Sequence, residues 1–260
     1  MSNLTFFKYQ GTGNDFIVID NRSSSFDTNN SSLITHLCNR RIGVGADGLI
    51  LLESDSKYDF KMVYFNADGQ QSSMCGNGGR CIVAFANFLG IVQRDAHFSA
   101  IDGPHLAVYD NGYVELKMQD VLNVSSKDDY FIIDTGSPHY VSLKSNLDSL
   151  DMASEGALVR YSKPFKSSGI NVNFAKKINM NTFAVRTYER GVEAETLSCG
   201  TGSTAVALAM YHSGQSSSEV INIKTQGGDL IIKFKPSSLA YSNVWLCGPA
   251  AQVFEGTLQW

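Results

Sequence analysis

Two short segments of this sequence each place a cysteine immediately before a glycine-rich turn. The first, MCGNGGRC, contains Cys75, and the second, SCGTGSTA, contains Cys199. Each turn leads into an apolar segment that favours a helix, so we expect both thiols at a helix start. The N–H groups and the dipole at that position stabilise negative charge and lower the pKa of a thiol. The paired motifs therefore predict two reactive cysteines.

A pair of such cysteines can invert the configuration of a carbon atom. One sulfur removes an α-proton as a thiolate, and a thiol on the opposite side delivers a proton to the other face. Glycines beside each cysteine let backbone N–H groups approach a carboxylate, into which negative charge spreads during the reaction. The scheme requires neither a metal nor pyridoxal phosphate, and no lysine stands beside either motif. We expect a cofactor-independent reaction.

The two motifs belong to a longer internal repeat. Cys199 follows Cys75 by 124 positions (199 − 75 = 124), and TGNDFIV at 12–18 is matched in the same order by TGSPHYV at 135–141. A hairpin pattern follows each cysteine segment, at 107–117 and at 223–234. The repeat predicts two domains built alike, 1–122 with Cys75 and 123–247 with Cys199.

Short β-branched and aromatic runs dominate both halves and predict strands. They read FIVID, LILL, DFKMVYF, YFIID, NTFAVRTY and VINIK. The runs at 81–90 and 203–214 differ, because they are apolar on nearly every face and end in glycines suited to a helix C′ position. We therefore expect an α+β fold with two pseudo-symmetric domains, each a curved, mostly antiparallel sheet wrapped around a central buried helix.

Composition limits the classes of partner. The 260 residues are 43% hydrophobic, carry a net charge of −4 and include no basic run, which disfavours nucleic acid and membrane surfaces as partners. No stretch approaches the roughly 18 apolar residues of a membrane span. The five cysteines are an odd number without a C-x-x-C pair, which indicates free thiols, a cytoplasmic location and no metal site. A small molecule is the expected partner.

Four segments together resemble the diaminopimelate epimerase family over essentially the whole chain. They are GTGNDF at 11–16, FNADGQQSSMCGNGGRC at 65–81, TGSPH at 135–139 and YERGVEAETLSCGTGSTA at 188–205. The resemblance implies epimerisation of LL-diaminopimelate to meso-diaminopimelate without pyridoxal phosphate, in the synthesis of lysine and peptidoglycan precursors. It also implies that a C-terminal strand at 248–260 returns to the first domain, where Trp260 packs. A homodimer is compatible with it.

The resemblance implies a role for individual residues. Cys75 and Cys199 would be the acid and base pair, and His139 and Glu189 would position or tune the thiols. The amides that would hold the α-carboxylate are those of Gly76, Asn77, Gly200 and Thr201. The side chains that would recognise a diamino diacid are Asn14, Asn66, Asn171, Glu189 and Arg190. His139 and Glu189 can instead be hydrogen-bonded structural residues, and Asn14 can cap its own loop.

Two positions depart from the family pattern. Ser137 stands where many members have asparagine, so a shorter hydroxyl replaces an amide that contacts substrate, and a bridging water could restore that contact. Gly48 stands where some members have glutamine. Outside the motifs, we expect Cys38, Cys81 and Cys247 to pack in the core, and Asp15 to form hydrogen bonds in a loop.

Three other functions fit part of the pattern. A proline or hydroxyproline racemase also uses paired thiols, but a proline substrate has no distal charges for Asn66, Glu189 and Arg190 to satisfy. A non-catalytic amino-acid binding protein could use the helix starts as an anion clamp, and a redox sensor could link the two thiols. Exchange of the substrate α-proton with deuterated solvent separates turnover from binding.

Overall fold

The computed structural model describes residues 3–238 and 240–259 and contains many strands and few helices. Trp260, whose packing the resemblance implied, lies outside the described residues. The first elements in chain order are β1 Asn3–Gly11, β2 Asn14–Asp20, α1 Ser31–Cys38, β3 Gly48–Glu53, β4 Phe60–Asn66, α2 Gly76–Phe88, β5 Asp95–Ala100, β6 Gly103–Asp110 and β7 Tyr113–Lys117.

The later elements repeat much of this order. They are β8 Val124–Ser126, β9 Phe131–Asp134, β10 Pro138–Leu143, a 3₁₀ turn at Leu147–Ser149, α3 Met152–Arg160, β11 Asn171–Asn179, β12 Thr182–Glu189, β13 Ala194–Thr196, α4 Gly200–His212, β14 Val220–Thr225, β15 Gly228–Pro236, β16 Tyr241–Pro249 and β17 Ala251–Gln259. The predicted strands and both predicted hairpins are present, which confirms the predicted α+β class.

The chain forms two compact units, one of residues 3–116 with 248–259 and one of residues 117–247. In the first unit, β17 pairs with β1, and the sheet then continues through β2, β3, β4, β5, β6 and β7. The pairs β2–β3 and β4–β5 are parallel, and the others in this series are antiparallel.

The second unit has the same series of pairings. The order is β8, β9, β10, β11, β12, β14, β15 and β16, in which β10–β11 and β12–β14 are parallel and the others antiparallel. The short strand β13 pairs with the end of β12. The two units therefore share one internal topology, as the sequence repeat indicates.

The helices α2 and α4 are buried along most of their length. Residues from Gly76 to Ala86 of α2 are all buried, and Gly78 allows this close packing because a Cβ there would lie 3.1 Å from Ile50 Cδ1. Both helices end before a glycine in the left-handed region, Gly90 with φ of 72° and Gly214 with φ of 70°. This confirms the predicted C′ glycines.

Two shorter helices, α1 and α3, were not predicted by the sequence patterns. Asn30 accepts a hydrogen bond from Leu33 N at the start of α1, and Asp151 accepts one from Ser154 N at the start of α3. The predicted central buried helices are α2 and α4, and these two shorter helices are additional elements of the fold. No helix among the described residues is long and apolar enough to cross a membrane.

Candidate active site

Each cysteine of the two motifs is the N-cap residue of its helix. Cys75 precedes α2 with φ −94° and ψ 129°, and Cys199 precedes α4 with φ −119° and ψ 115°. These extended conformations place each sulfur beside the first turn, where N–H groups have no acceptor within the helix. The predicted position of both thiols at a helix start is confirmed.

In the first unit, Cys75 lies beside two asparagine side chains. Its sulfur is 3.6 Å from Asn14 Oδ1, and Asn77 Nδ2 donates to the same oxygen at 3.3 Å. Asn14 Nδ2 in turn donates to Asp47 Oδ2 at 2.6 Å. Because a carboxylate oxygen can only accept, this bond fixes the orientation of the Asn14 amide and points its oxygen at the cysteine.

An ion-pair cluster holds Asp47 in place. Arg40 donates to Asp15 and to Asp47, each at 2.7 Å, and Lys8 pairs with Asp15 at 2.7 Å. Burial acts to raise the pKa of Asp15, but the hydrogen bonds and charges of Arg40 and Lys8 outweigh it and lower that pKa to about 2. The predicted hydrogen-bonding role of Asp15 is confirmed, whereas its predicted place in a loop is wrong, because it lies in β2.

Arg80 ties the helix of Cys75 to its surroundings. This arginine is fully buried on α2 and donates to Thr12 Oγ1 at 3.1 Å, to Gly76 O at 3.4 Å and to Pro249 O at 3.5 Å. Arg80 is not among the predicted site residues, although a charged residue in an apolar helix is an unusual pattern. Its contacts fix the first turn of α2 relative to the neighbouring chain segments of its unit.

In the second unit, Cys199 accepts a capping hydrogen bond. Gly202 N donates to its sulfur at 3.4 Å, and Thr201 Oγ1 lies 3.4 Å from the same atom. Thr201 is in turn 3.5 Å from Ser137 Oγ, and its carbonyl accepts from Thr135 Oγ1 at 2.9 Å. The sulfur therefore accepts the backbone hydrogen bond of Gly202, and the Thr201 hydroxyl lies within hydrogen-bond distance of it.

His139 lies behind Ser137 in the same unit. The distance from Ser137 Oγ to His139 Nε2 is 3.0 Å, and that from His139 Nδ1 to Asn173 Nδ2 is also 3.0 Å. Burial, followed by the charge of Arg190, lowers the pKa of His139 to about 3. The imidazole is therefore neutral at pH 7. Asn173 is not among the predicted site residues, although it follows Asn171 by two positions on the same face of β11.

Asn171, Glu189 and Arg190 lie near each other where the start of β11 pairs with the end of β12. Asn171 donates to Ser137 Oγ at 3.1 Å and accepts from Arg190 N at 2.9 Å. The Arg190 side chain is exposed and donates to Ser168 O at 3.1 Å, while Glu189 accepts from Thr196 Oγ1 at 2.6 Å. The second unit thus brings together six predicted residues: Cys199, Gly200, Thr201, His139, Asn171 and Arg190.

Asn66 and Gly48 lie opposite each other on neighbouring strands of the first unit. Asn66 is the last residue of β4 and is half-buried opposite Gly48. A Cβ at Gly48 would lie 2.6 Å from Phe65 O, so this position admits no longer side chain without a backbone shift.

The other three cysteines are core residues, as predicted. Cys38 is 4% exposed, and Cys81 and Cys247 are fully buried. Burial is the largest cause that raises the pKa of Cys38 to about 11 and that of Cys81 to about 12, so both remain thiols at neutral pH. Among residues 3–238 and 240–259, no group of three or more histidine, cysteine or carboxylate side chains is placed to hold a metal ion.

A family model and several known proteins match this chain over most of its length. A family model described as diaminopimelate epimerase matches residues 6–121 and 131–251. The diaminopimelate epimerase of Flavobacterium psychrophilum is 52% identical over 253 residues, which are 97% of this chain and 99% of that protein. That of Chlorobaculum tepidum is 41% identical over 258 residues, with 95% of this chain and 98% of the relative covered.

Solved structures with low sequence identity share the fold. A PhzF-family phenazine biosynthesis protein of Bacillus anthracis has a TM-score of 0.75 at 13% identity, with 100% of both chains covered. A hydroxyproline epimerase of Agrobacterium vitis has a TM-score of 0.71 at 12% identity, with 98% of this chain and 92% of that chain covered. At these identities the likeness is one of fold alone.

Proposed function

Because this chain belongs to the diaminopimelate epimerase family, we propose that it converts LL-diaminopimelate to meso-diaminopimelate with Cys75 and Cys199 as the acid and base pair. One observation supports this most directly: in two units of the same topology, the corresponding helix begins at a cysteine. The reaction belongs to the synthesis of lysine and peptidoglycan precursors, and the substrate is a small diamino diacid.

The chemistry needs a thiolate on one face of the substrate α-carbon and a thiol on the other. The thiolate removes the α-proton, and the thiol delivers its proton to the opposite face, so the two sulfurs exchange roles in the reverse direction. The first-turn amides at Gly76, Asn77, Gly200 and Thr201 are the proposed donors to the α-carboxylate. Such fixed donors stabilise the charge that develops there.

Charge and hydrogen-bonding capacity support the proposed recognition of the distal end of the substrate. Arg190 is exposed and its guanidinium fork matches a carboxylate, while Glu189 supplies an acceptor for an ammonium group. Asn14, Asn66 and Asn171 supply amides. A proline ring offers no group for these residues, and similarity to the racemase structures is confined to the fold.

The proposed reaction is tested by solvent exchange. The protein is incubated with LL-diaminopimelate in deuterated water, and we expect deuterium at the α-carbon together with meso product. Cys38→Ala serves as a control, because it removes a buried thiol outside the motifs. Binding without deuterium incorporation would show a binding protein and would contradict the proposal.

We also propose a cytoplasmic location and a homodimer. The free thiols of all five cysteines agree with a reducing compartment. Val253 and Phe254 of β17 are exposed apolar side chains that a second copy would cover. Light scattering on a sizing column tests the dimer, and a mass of about 28 kDa, that of one chain, would contradict it.

A further inference from the structure

The turn between β12 and β13 carries Arg190, the side chain proposed to bind the distal carboxylate of the substrate. β12 ends at Glu189 and β13 begins at Ala194, so residues 190–193 form this turn. Glu193 N closes it by donating to Glu189 O at 2.8 Å. A guanidinium fork meets a carboxylate with two hydrogen bonds only in a narrow range of orientations, so the position of this turn determines how Arg190 binds.

Glu193 has a backbone conformation that side chains rarely adopt. Its φ is 56°, in the left-handed region, where a glycine has no steric cost and a glutamate has one. Gly191, with φ of 91°, is the other left-handed residue of the turn. The unfavourable backbone of Glu193 must therefore be offset by the bonds that its side chain forms.

The Glu193 carboxylate joins the turn to helix α3. Its Oε1 accepts from Gly191 N at 3.1 Å within the turn and from Arg160 Nε at 3.2 Å, a residue 33 positions away. Its Oε2 accepts from Tyr161 Oη at 3.0 Å. Burial acts to raise the pKa of this carboxyl, but the bonds from Gly191, Tyr161 and Arg160 outweigh it and lower that pKa. The group is therefore a carboxylate at neutral pH.

Helix α3 is itself packed on the strand that leads into the turn. Gly156 of α3 lies against the ring of Tyr188 in β12, so closely that a Cβ there would clash with the ring. The Arg160 side chain is only 14% exposed, and its guanidinium lies over the Tyr161 ring at 4.9 Å from the centroid. The cation and the hydroxyl that bind Glu193 therefore have fixed positions at the end of α3.

A second set of bonds fixes Arg190 within the same unit. Asn171 Oδ1 accepts from Arg190 N at 2.9 Å, and Arg190 Nη1 donates to Ser168 O at 3.1 Å. Gly169 lies between the two arginines, because a Cβ there would be 3.0 Å from Arg160 Cζ and would clash with Arg190 Cδ. Both arginine side chains thus flank one backbone position, and of the two only Arg190 is exposed.

We infer that Glu193, Arg160 and Tyr161 are positioning residues, which hold the turn between β12 and β13 so that Arg190 presents its guanidinium to the distal carboxylate of the substrate. None of the three is among the predicted site residues. The inference rests on the proposed function for its catalytic meaning. Because the cluster supports the distal contact and not the proton transfer, its loss should weaken substrate binding more than it slows turnover.

Amide hydrogen exchange followed by NMR tests whether the cluster holds the turn, independently of activity. Glu193→Ala removes the carboxylate but keeps the Cβ, and with it the backbone preference at this position. We expect the Gly191 and Arg190 amides to exchange about tenfold faster in this variant, because Gly191 loses its acceptor and Arg190 lies in the released turn. Glu193→Gln keeps an oxygen for Gly191 N and Arg160, so exchange should stay near the original rate. Unchanged exchange in Glu193→Ala would overturn the inference.

Steady-state kinetics with LL-diaminopimelate test whether the turn positions Arg190 for binding. Glu193→Ala should raise KM about tenfold, the effect of one lost charge-assisted hydrogen bond, and change kcat by less than about threefold, whereas Glu193→Gln should restore KM. Tyr161→Phe removes a single donor and should raise KM about two- to threefold, which keeps the test decisive if Glu193→Ala does not fold. Glu219→Ala is the matched control, because Glu219 pairs with Lys235 outside the turn. A lower kcat with unchanged KM would overturn the inference.

A double variant separates the positioning of Arg190 from a general loss of structure. In the Arg190→Ala background, Glu193→Ala should raise KM by less than about twofold, because the side chain that it positions is already absent. A rise of about tenfold in both backgrounds would overturn the inference. If the original protein does not turn over diaminopimelate, the proposed function is wrong, whereas the amide exchange rates still decide whether the cluster holds the turn.

Discussion

The buried histidine predicts a specific loss of stability in mild acid. His139 is fully buried, and its pKa lies at about 3 instead of the ordinary 6.5, first because of burial and second because of the Arg190 charge. The unfolded chain binds a proton near pH 6.5, whereas the folded chain does not. The stabilisation is therefore complete above pH 6.5 and is lost as the pH falls toward 3.

The size of the loss follows from the two pKa values. One proton taken up only by the unfolded chain changes the free energy of unfolding by about 1.4 kcal/mol for each pH unit. Between pH 7 and pH 4.5 the loss is about 2.5 kcal/mol. Carboxylates with lowered pKa values, such as Asp15, act below their ordinary 3.8 and contribute little in this window.

Urea unfolding between pH 7 and pH 4.5 measures how the free energy of unfolding changes with pH, in the original protein and in His139→Gln. This change per pH unit is the slope to compare. The variant is less stable at every pH because it disturbs the bonds to Ser137 and Asn173, but its slope should be lower by the stated amount. His97→Gln, at an exposed histidine, is the control for the loss of an imidazole as such. Equal slopes in the original protein and in His139→Gln would refute a neutral buried imidazole.

Three further predictions concern the cysteines, the distal contact and the helix start. Cys75→Ala and Cys199→Ala should each lower the epimerisation rate by at least about 10²- to 10⁴-fold with the fold retained by circular dichroism, because each thiol serves one face; a single variant with most of its turnover would contradict the scheme. Arg190→Lys should raise KM strongly although the charge is kept, since only the guanidinium fork meets a carboxylate with two hydrogen bonds; equal turnover of lysine and diaminopimelate would assign Arg190 another role. Gly202→Ala should destabilise the protein by about 1–3 kcal/mol in urea unfolding, because its Cβ would clash with Asn173 Oδ1, whereas Gly214→Ala, with open space but φ of 70°, should cost only about 1 kcal/mol.

The sequence was sufficient to predict features that depend on local patterns. The positions of Cys75 and Cys199 before glycine-rich helix starts, and of Gly90 and Gly214 after the helix ends, follow from capping preferences within a few residues. The repeat predicted that the two halves of the chain share one topology, because each match recurs at nearly the same offset. These features need no knowledge of distant contacts.

Contacts between residues far apart in the sequence could not be predicted from local sequence patterns. Asp47 orients Asn14 although 33 residues separate them, and nothing near Asp47 distinguishes it from other loop carboxylates. Likewise, the burial of His139 and its bond to Asn173 depend on the parallel pairing of β10 with β11. Side-chain direction on paired strands is set by register, which a single sequence specifies only weakly.

The pairing of β17 with β1 has a consequence for how this protein is made. During synthesis, β1 leaves the ribosome early. Its partner strand β17 and the Arg80 acceptor Pro249 emerge only after the whole of residues 117–247. At about 5–20 residues per second, the synthesis of residues 117–247 takes roughly 7 to 26 seconds. During this time β1 of the nascent first unit has one unpaired edge, while the contiguous second unit can already fold. The hydrogen bond from Arg80 to Pro249 O, which helps to hold the helix start at Cys75, forms only after Pro249 has been synthesised.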